Sequence, residues 1–268
     1  DKVFYRGYVW RLLVNELNTK NRICLSKLSI GIPYEVAKAF RENLQKIAIM
    51  SPSGECFYTE KFVREELVGN IRDILEKQNI VNVEGLVEKL DVRDEHIREI
   101  LDKFGIRSPT NPNVYYSRTL VETTLRELVE GASSIDEISR VSNILSSDIQ
   151  EFLRERGLEK EYLVNRLKRL IRKDVSALLE AEIKEIQQLV VTLDKYNLDP
   201  SEANALGVAN IVLWETSGDE RFFEKGVKIL ESIDNPKAKK NLAIAYAKYA
   251  MKLYASGASK KEIKQYAL

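Results

Sequence analysis

Few side chains in this sequence carry reactive chemistry. Its 268 residues include one histidine, His96, and two cysteines, Cys24 and Cys56. One imidazole cannot build a histidine-rich metal centre, nor most proton relays. His96 lies between Glu95 and Ile97 with no ligand set nearby in the chain, and reads as a surface or boundary histidine. Two thiols are too few for a disulfide framework or a four-thiolate zinc site. The chain has no phosphate-binding loop, no GxGxxG, no paired histidine ligands and no assembly of Ser, His and Asp. Carboxylates are spread so widely that no acid/base pair stands out. The expectation is a non-enzyme with no cofactor, no metal and no small-molecule ligand.

What remains is charge. The chain has 42 Lys and Arg against 41 Asp and Glu, a net +1, which argues against a general coat for nucleic acid. Its distribution is uneven. Residues 237–268 hold eight lysines, among them Lys237, Lys239, Lys240, Lys248 and Lys252, and a single acid, Glu262. Tyr246, Tyr249, Tyr254 and Tyr266 are interleaved with them, which is the composition of a nucleic-acid surface. However, Tyr246 and Tyr249 lie among Ala243, Ala247 and Ala250, which looks like helix packing. Arg166, Lys168, Arg169, Arg172 and Lys173 form a second basic run around Leu167, Leu170 and Ile171. That spacing suits the solvated face of an amphipathic helix, or contact with an acidic partner or nucleic acid. Lys38, Arg41 and Lys46 form a third, smaller group near the start. A mixed solvated helix is the plainer reading there.

These residues have to be placed by an internal repeat. Phe57-Tyr58-Thr59-Glu60-Lys61-Phe62-Val63 resembles Tyr115-Tyr116-Ser117-Arg118-Thr119-Leu120-Val121. Each run is a short aromatic strand leading into an amphipathic helix. The first helix has Val63, Leu67, Ile71, Ile74 and Leu75 on its apolar face, the second Val121, Leu125, Leu128 and Val129. Further on, Val83, Leu86, Ile97, Leu101, Gly105 and Ile106 align with Ile135, Ile138, Ile149, Leu153, Gly157 and Leu158. Ser134 with Glu137 predicts a capping box, and Gly105 and Gly157 predict left-handed helix ends. A looser copy comes first: a helix over Tyr5–Leu17, a strand at Ile23-Cys24-Leu25, a helix over Pro33–Leu44, and a hairpin of Ile47-Ala48-Ile49 with Cys56-Phe57-Tyr58 around Ser51-Pro52-Ser53-Gly54.

Helix, strand, helix, helix, hairpin is the winged-helix order. In that order the strands of Cys24 and Cys56 pair. A cross-strand disulfide is one reading. Two buried thiols is the plainer one, since free Cys usually behaves as a small hydrophobe. DNA reading by this fold needs a basic third helix. The three candidates carry +1 over 33–46, −1 over 93–104 and −1 over 145–156. The second and third are poor DNA readers and suit protein docking.

The stretches Gly54-Glu55-Cys56-Phe57-Tyr58-Thr59, Val81-Asn82-Val83-Glu84-Gly85-Leu86 and His96-Ile97 resemble tandem winged-helix proteins. They are similar in particular to the winged-helix array of the ligase scaffold for the ubiquitin-fold modifier. The similarity covers a minor part of the chain. That family is an adaptor whose winged helices dock partner proteins and which has no catalytic cysteine. The resemblance implies the same kind of role.

Residues 159–268 show no strand signal. One or two long helices are expected over Glu161–Tyr196, then Ala203–Glu215, Phe222–Ile233 and a helix from Asn235-Pro236 through Tyr254. Ser259 with Glu262 caps a last short helix. Leu206-Gly207, Gly218, Phe223 and Pro236 fall near the positions of a tetratricopeptide repeat, and Leu242, Ala243, Tyr246, Gly257 and Ile263 repeat the pattern loosely.

The resulting fold class is mainly α. Three tandem winged-helix units are expected at 1–60, 61–117 and 118–158, the third without an obvious wing. An all-α helical-repeat-like domain follows at 159–268. The expected function is a scaffold that docks partner proteins. The alternative is a DNA-binding transcription or genome-maintenance factor using the first unit and the basic C-terminus. The high Lys and Glu content resembles thermophile surfaces. No apolar run approaches a membrane span, and no secretory signal pattern is present. The expected location is the cytoplasm, or the nucleus if the source is eukaryotic and the DNA-binding alternative holds.

Overall fold

The structure, a computed structural model, describes residues 5–266. Two stretches repeat one order of elements. The first has α1 (Arg6–Lys20), β1 (Arg22–Cys24), a 3-10 turn at Leu25–Lys27, α2 (Tyr34–Lys38), α3 (Arg41–Leu44), β2 (Ile49–Met50) and β3 (Cys56–Tyr58). The second opens with a π-helical turn at Phe62–Leu67 that continues into α4 (Val68–Gln78). It goes on through β4 (Ile80–Asn82), α5 (Val83–Leu90), α6 (Asp94–Phe104), β5 (Gly105–Arg107) and β6 (Val114–Ser117). Their antiparallel sheets have matching orders, β1-β3-β2 and β4-β6-β5.

The local chemistry explains the match. α1 and α4 each end on an asparagine in the left-handed region, Asn21 (φ 56°) and Asn79 (φ 62°), a conformation asparagine tolerates better than most residues. The next residue turns directly into a strand. Each asparagine carbonyl then closes the sheet, accepting from Thr59 N at 2.9 Å and from Ser117 N at 2.7 Å. Side chains alternate across a strand, so β3 is buried on both faces. Phe57 enters the first core with Leu13, Leu17 and Leu44, while Tyr58 enters the second with Ile71, Leu75, Ile97 and Leu101. The two stretches therefore share a strand's worth of core, and the Tyr58 hydroxyl accepts from Arg93 N at 3.2 Å.

The remainder is helical: α7 (Arg118–Gly131), α8 (Ile135–Ser142), α9 (Ser146–Glu155), α10 (Glu159–Leu170), a 3-10 turn at Val175–Ala177, α11 (Glu180–Leu193), α12 (Pro200–Ser217), α13 (Glu220–Glu231), α14 (Pro236–Ala255) and α15 (Lys260–Lys264). The chain divides into two compact units between Thr123 and Thr124, within α7. In the second unit α12 is apolar nearly all round, as a central helix must be. Leu206, Ala209, Val212 and Leu213 meet residues of α10 and α11, while Ile211 and Trp214 meet α13 and α14. α12 and α13 approach closely at Gly207 and Gly226. A Cβ on Gly207 would lie 2.8 Å from Leu230 Cγ, and one on Gly226 would lie 2.9 Å from the Gly207 carbonyl oxygen.

Helix accounts for 69% of the protein and strand for 7%, so the mainly α expectation stands, with small antiparallel sheets. Several details differ. The helix expected over Pro33–Leu44 is two short pieces, α2 and α3, broken at Ala39-Phe40. The first hairpin strand is Ile49–Met50 rather than Ile47–Ile49. Gly105 is extended (φ −105°) because it is the first residue of β5, whereas Gly157 is left-handed as its position suggested. Ser134 caps α8 by accepting from Glu137 N at 3.2 Å, without the reciprocal half of a capping box. Of the one or two helices expected over Glu161–Tyr196 there are two, α10 and α11, parted by a turn that Asp174 caps.

Candidate functional site

Cys24 and Cys56 face each other across β1 and β3 and are joined by a disulfide, with Cα atoms 4.0 Å apart. The flanking pairs fix the geometry. Leu25 N donates to Glu55 O and Thr59 N to Asn21 O, so Cys24–Cys56 is a non-hydrogen-bonded pair, where side chains approach most closely. The bridge is structural and leaves no free thiol among the described residues.

His96 packs edge-on against Tyr58 at 6.0 Å between ring centroids, and its Nε2 is buried without a partner. Among the described residues no group of three His, Cys, Asp or Glu gathers to hold a metal ion, and no helix is long and apolar enough to cross a membrane.

The basic residues singled out above separate into two sets. Many are used inside the protein. Arg166 makes a two-pronged ion pair with Glu185 (2.7 and 2.8 Å) and donates to Ala132 O at 2.9 Å. The paired carboxylate raises its already high pKa. Arg169 donates to the Gly131 carbonyl at the end of α7. Lys173 pairs with Glu182, Lys239 with Asp234, Lys248 with Glu215 and Lys252 with Glu220, and Lys252 also lies over the Trp214 ring. In the first stretch Lys38 covers the Tyr34 ring at 5.5 Å. Arg41 lies over the hairpin turn, where Gly54 (φ 74°) leaves it room; a Cβ there would sit 1.7 Å from its Nη2.

The other set makes no ion pair among the described residues, although Lys168 lies near enough to help lower the pKa of Asp199. Lys46 and Lys240 are exposed. Lys168, Arg172 and Lys237 converge on a cleft of about 180 Å³ in the second unit, lined also by Ser201, Asn204 and Asn241. Three elements deliver them: the C-terminal end of α10 and the opening turns of α12 and α14. No carboxylate lines this cleft. Asn204 is 5% exposed, and its side-chain oxygen accepts from Asn241 Nδ2 at 3.0 Å, leaving its amide nitrogen without a protein acceptor. The cleft shares Ile171, Val208 and Asn241 with a larger groove of about 610 Å³, walled by Val175, Ile211, Val212 and Ile244. The sequence marked the three cations but not the two asparagines or the aliphatic groove. The spacing of Lys237 with Asn241 puts both on one face of α14, while Lys168 sits in the last turn of α10 and Arg172 in the turn just after it. The meeting of the two regions is a tertiary event.

The cations of α6 are occupied too. Arg98 reaches the loop of its own hairpin, donating to Pro112 O at 2.8 Å and Asn113 Oδ1 at 2.6 Å, and Lys103 pairs with Glu99 at 2.8 Å. On α9, Arg154 pairs with Glu151. Two large aliphatic side chains are exposed here, Val141 (75%) in the last turn of α8 and Leu145 (52%) at the start of α9.

No protein-family model matches this chain, and no curated protein matches it.

Proposed function

We propose that the protein is a non-enzymatic adaptor that docks partner proteins through two tandem winged-helix units, a wingless third copy and a tetratricopeptide-like helical region. The observation that carries this reading is the fate of the cations on α6, the helix in the position a winged-helix protein uses to read DNA. Arg98 and Lys103 are both held by the protein's own groups, beside Asp94, Glu95, Glu99 and Asp102. A phosphate backbone would meet a net negative face, and counterion release would give little affinity. The sheet orders β1-β3-β2 and β4-β6-β5 support the winged-helix assignment. The exposed pair Val141, in the last turn of α8, and Leu145, at the start of α9, suits an apolar docking contact.

The test is reconstitution. The full chain is used to retain partners from its native source, the retained protein is purified separately, and the two are mixed and sized by light scattering. A stoichiometric complex weakened about tenfold or more by Val141→Asp with Leu145→Asp is the expected result. A chain that forms no stoichiometric protein complex, and instead shifts duplex DNA with a steep salt dependence, overturns the reading.

A further inference from the structure

The cleft and groove of the second unit have complementary chemistries, and together they specify an occupant. We infer that they bind an acidic, apolar peptide segment of a partner protein, with a carboxylate between Lys168, Arg172 and Lys237 and aliphatic side chains in the adjoining groove. This deepens the adaptor reading and rests on it.

Three cations, Lys168 of α10, Arg172 of the turn after it and Lys237 of α14, converge on one small cavity, and no acid lines it among the described residues. Several other basic side chains of this unit are paired with acids or backbone carbonyls, among them Arg166, Arg169, Lys173, Lys248 and Lys252. Unbalanced positive charge in a concave site focuses an anion there. α14 contributes its opening turn, which holds no acid, so the positive end of a 20-residue helix adds to the field, whereas the opening turn of α12 is capped by Asp199. Asn204 adds an amide donor at the cleft wall, its oxygen being the atom already used by Asn241. An ion accepting from several such donors gains charge-assisted hydrogen bonds.

The groove decides between a peptide and a nucleic acid. Its walls are aliphatic, with Ile171, Val175, Val208, Val212 and Ile244 among them, and Ile244 is 45% exposed. Single strands are held by aromatic stacking platforms. The aromatic residues here are committed to each other instead: Phe223 stacks on Tyr249 at 4.2 Å, and Trp214 lies 5.0 Å from Phe223. Lys173, Asp174, Glu215 and Lys248 also line the groove, the two lysines being paired with Glu182 and Glu215, so it offers a continuous phosphate backbone no run of free cations, while a peptide with one acidic end needs only the cations of the cleft.

The experiment uses fluorescence anisotropy of the full chain with a labelled octapeptide of alternating aspartate and leucine. Comparison peptides replace aspartate by asparagine, or leucine by serine, and a labelled oligothymidylate is the fourth probe. The aspartate–leucine peptide is expected to bind, and each replacement to weaken binding about tenfold or more. Arg172→Glu with Lys237→Glu should abolish binding of the acidic peptide, Arg172→Lys should retain most of it, and Lys46→Glu, outside the cleft, should leave it unchanged. Circular dichroism confirms that each variant is folded. Ile244→Glu tests the apolar half separately. Absence of peptide binding, or binding indifferent to the Arg172 and Lys237 reversals, overturns the inference. So does oligothymidylate binding tighter than the peptide and lost with the same two reversals, which would make the cleft a nucleic-acid site. The two readings fail separately. A chain that takes no partner protein but binds the peptide through these residues loses the adaptor role and keeps the cleft. A chain that forms a stable partner complex and ignores the peptide loses the cleft alone.

Discussion

The two hairpin-bearing stretches reach one topology by different means. In the second, α5 and α6 are well-formed helices of 8 and 11 residues. Asn82 caps α5 by accepting from Glu84 N at 2.8 Å. Arg98 ties α6 to the hairpin loop, and the Tyr115 hydroxyl donates to Asp102 at 2.6 Å. In the first, the equivalent helices shrink to a 3-10 turn and two pieces of 5 and 4 residues. Cys24 and Cys56 occupy the pair of positions that Asn82 and Val114 hold in the second. Helix capping and side-chain ties hold one sheet, and a covalent staple holds the other. A short stretch with little regular helix buries less apolar surface, and a cross-link compensates by restricting the unfolded chain.

This contrast can be broken experimentally. The largest effect is expected from Cys24→Ser with Cys56→Ser, which should destabilise the first stretch by about 2–4 kcal/mol. Hydrogen exchange should show β1 and β3 opening while the amides of α5 and α6 keep their protection. Uniform loss of protection would mean that the two stretches do not differ in this way. Arg98→Ala is the counterpart in the second stretch. It removes hydrogen bonds to Pro112 and Asn113 and should cost about 1–3 kcal/mol in denaturant unfolding, with or without reductant. Gly54→Ala should cost about 1–2 kcal/mol, because the turn needs a positive φ and the new methyl meets Arg41. The smallest expected effect is on pH dependence. Asp91 is partly desolvated, yet hydrogen bonds from Ser53 and Ser51 hold its carboxyl below the usual carboxylate range. Its contribution to stability is therefore complete above the unfolded carboxylate pKa and is lost as the pH falls through the lower folded value. Ser53→Ala should flatten acid melting curves in that region.

The order of elements was legible because hydrophobic spacing and turn residues are local signals. The matching places of Tyr58 in β3 and Tyr116 in β6 and the proline and asparagine helix starts follow from such signals. The break at Ala39-Phe40 was not legible, since the apolar spacing of Val36, Ala37, Phe40 and Leu44 runs on across it. The π-helical turn at Phe62–Leu67 escaped for a similar reason: it keeps Phe62 and Leu67 buried within an unbroken amphipathic pattern. For the candidate site, composition marked the cations but not which were spent. Arg166 and Arg172 lie six residues apart in one basic run, yet Arg166 is bound to Glu185 while Arg172 faces an acid-free cleft. Only partners distant in sequence make that distinction.

The central claim is that the helices before the two hairpins, α2 with α3 and α6, do not read nucleic acid, in keeping with the proposed adaptor role. Its most direct test is a gel shift of labelled duplex DNA with the full chain at low and moderate salt, repeated with Lys38→Glu, Arg41→Glu and Lys46→Glu combined. The account predicts no complex at moderate salt and no change on charge reversal. A complex with a steep salt dependence that the triple reversal removes would contradict it.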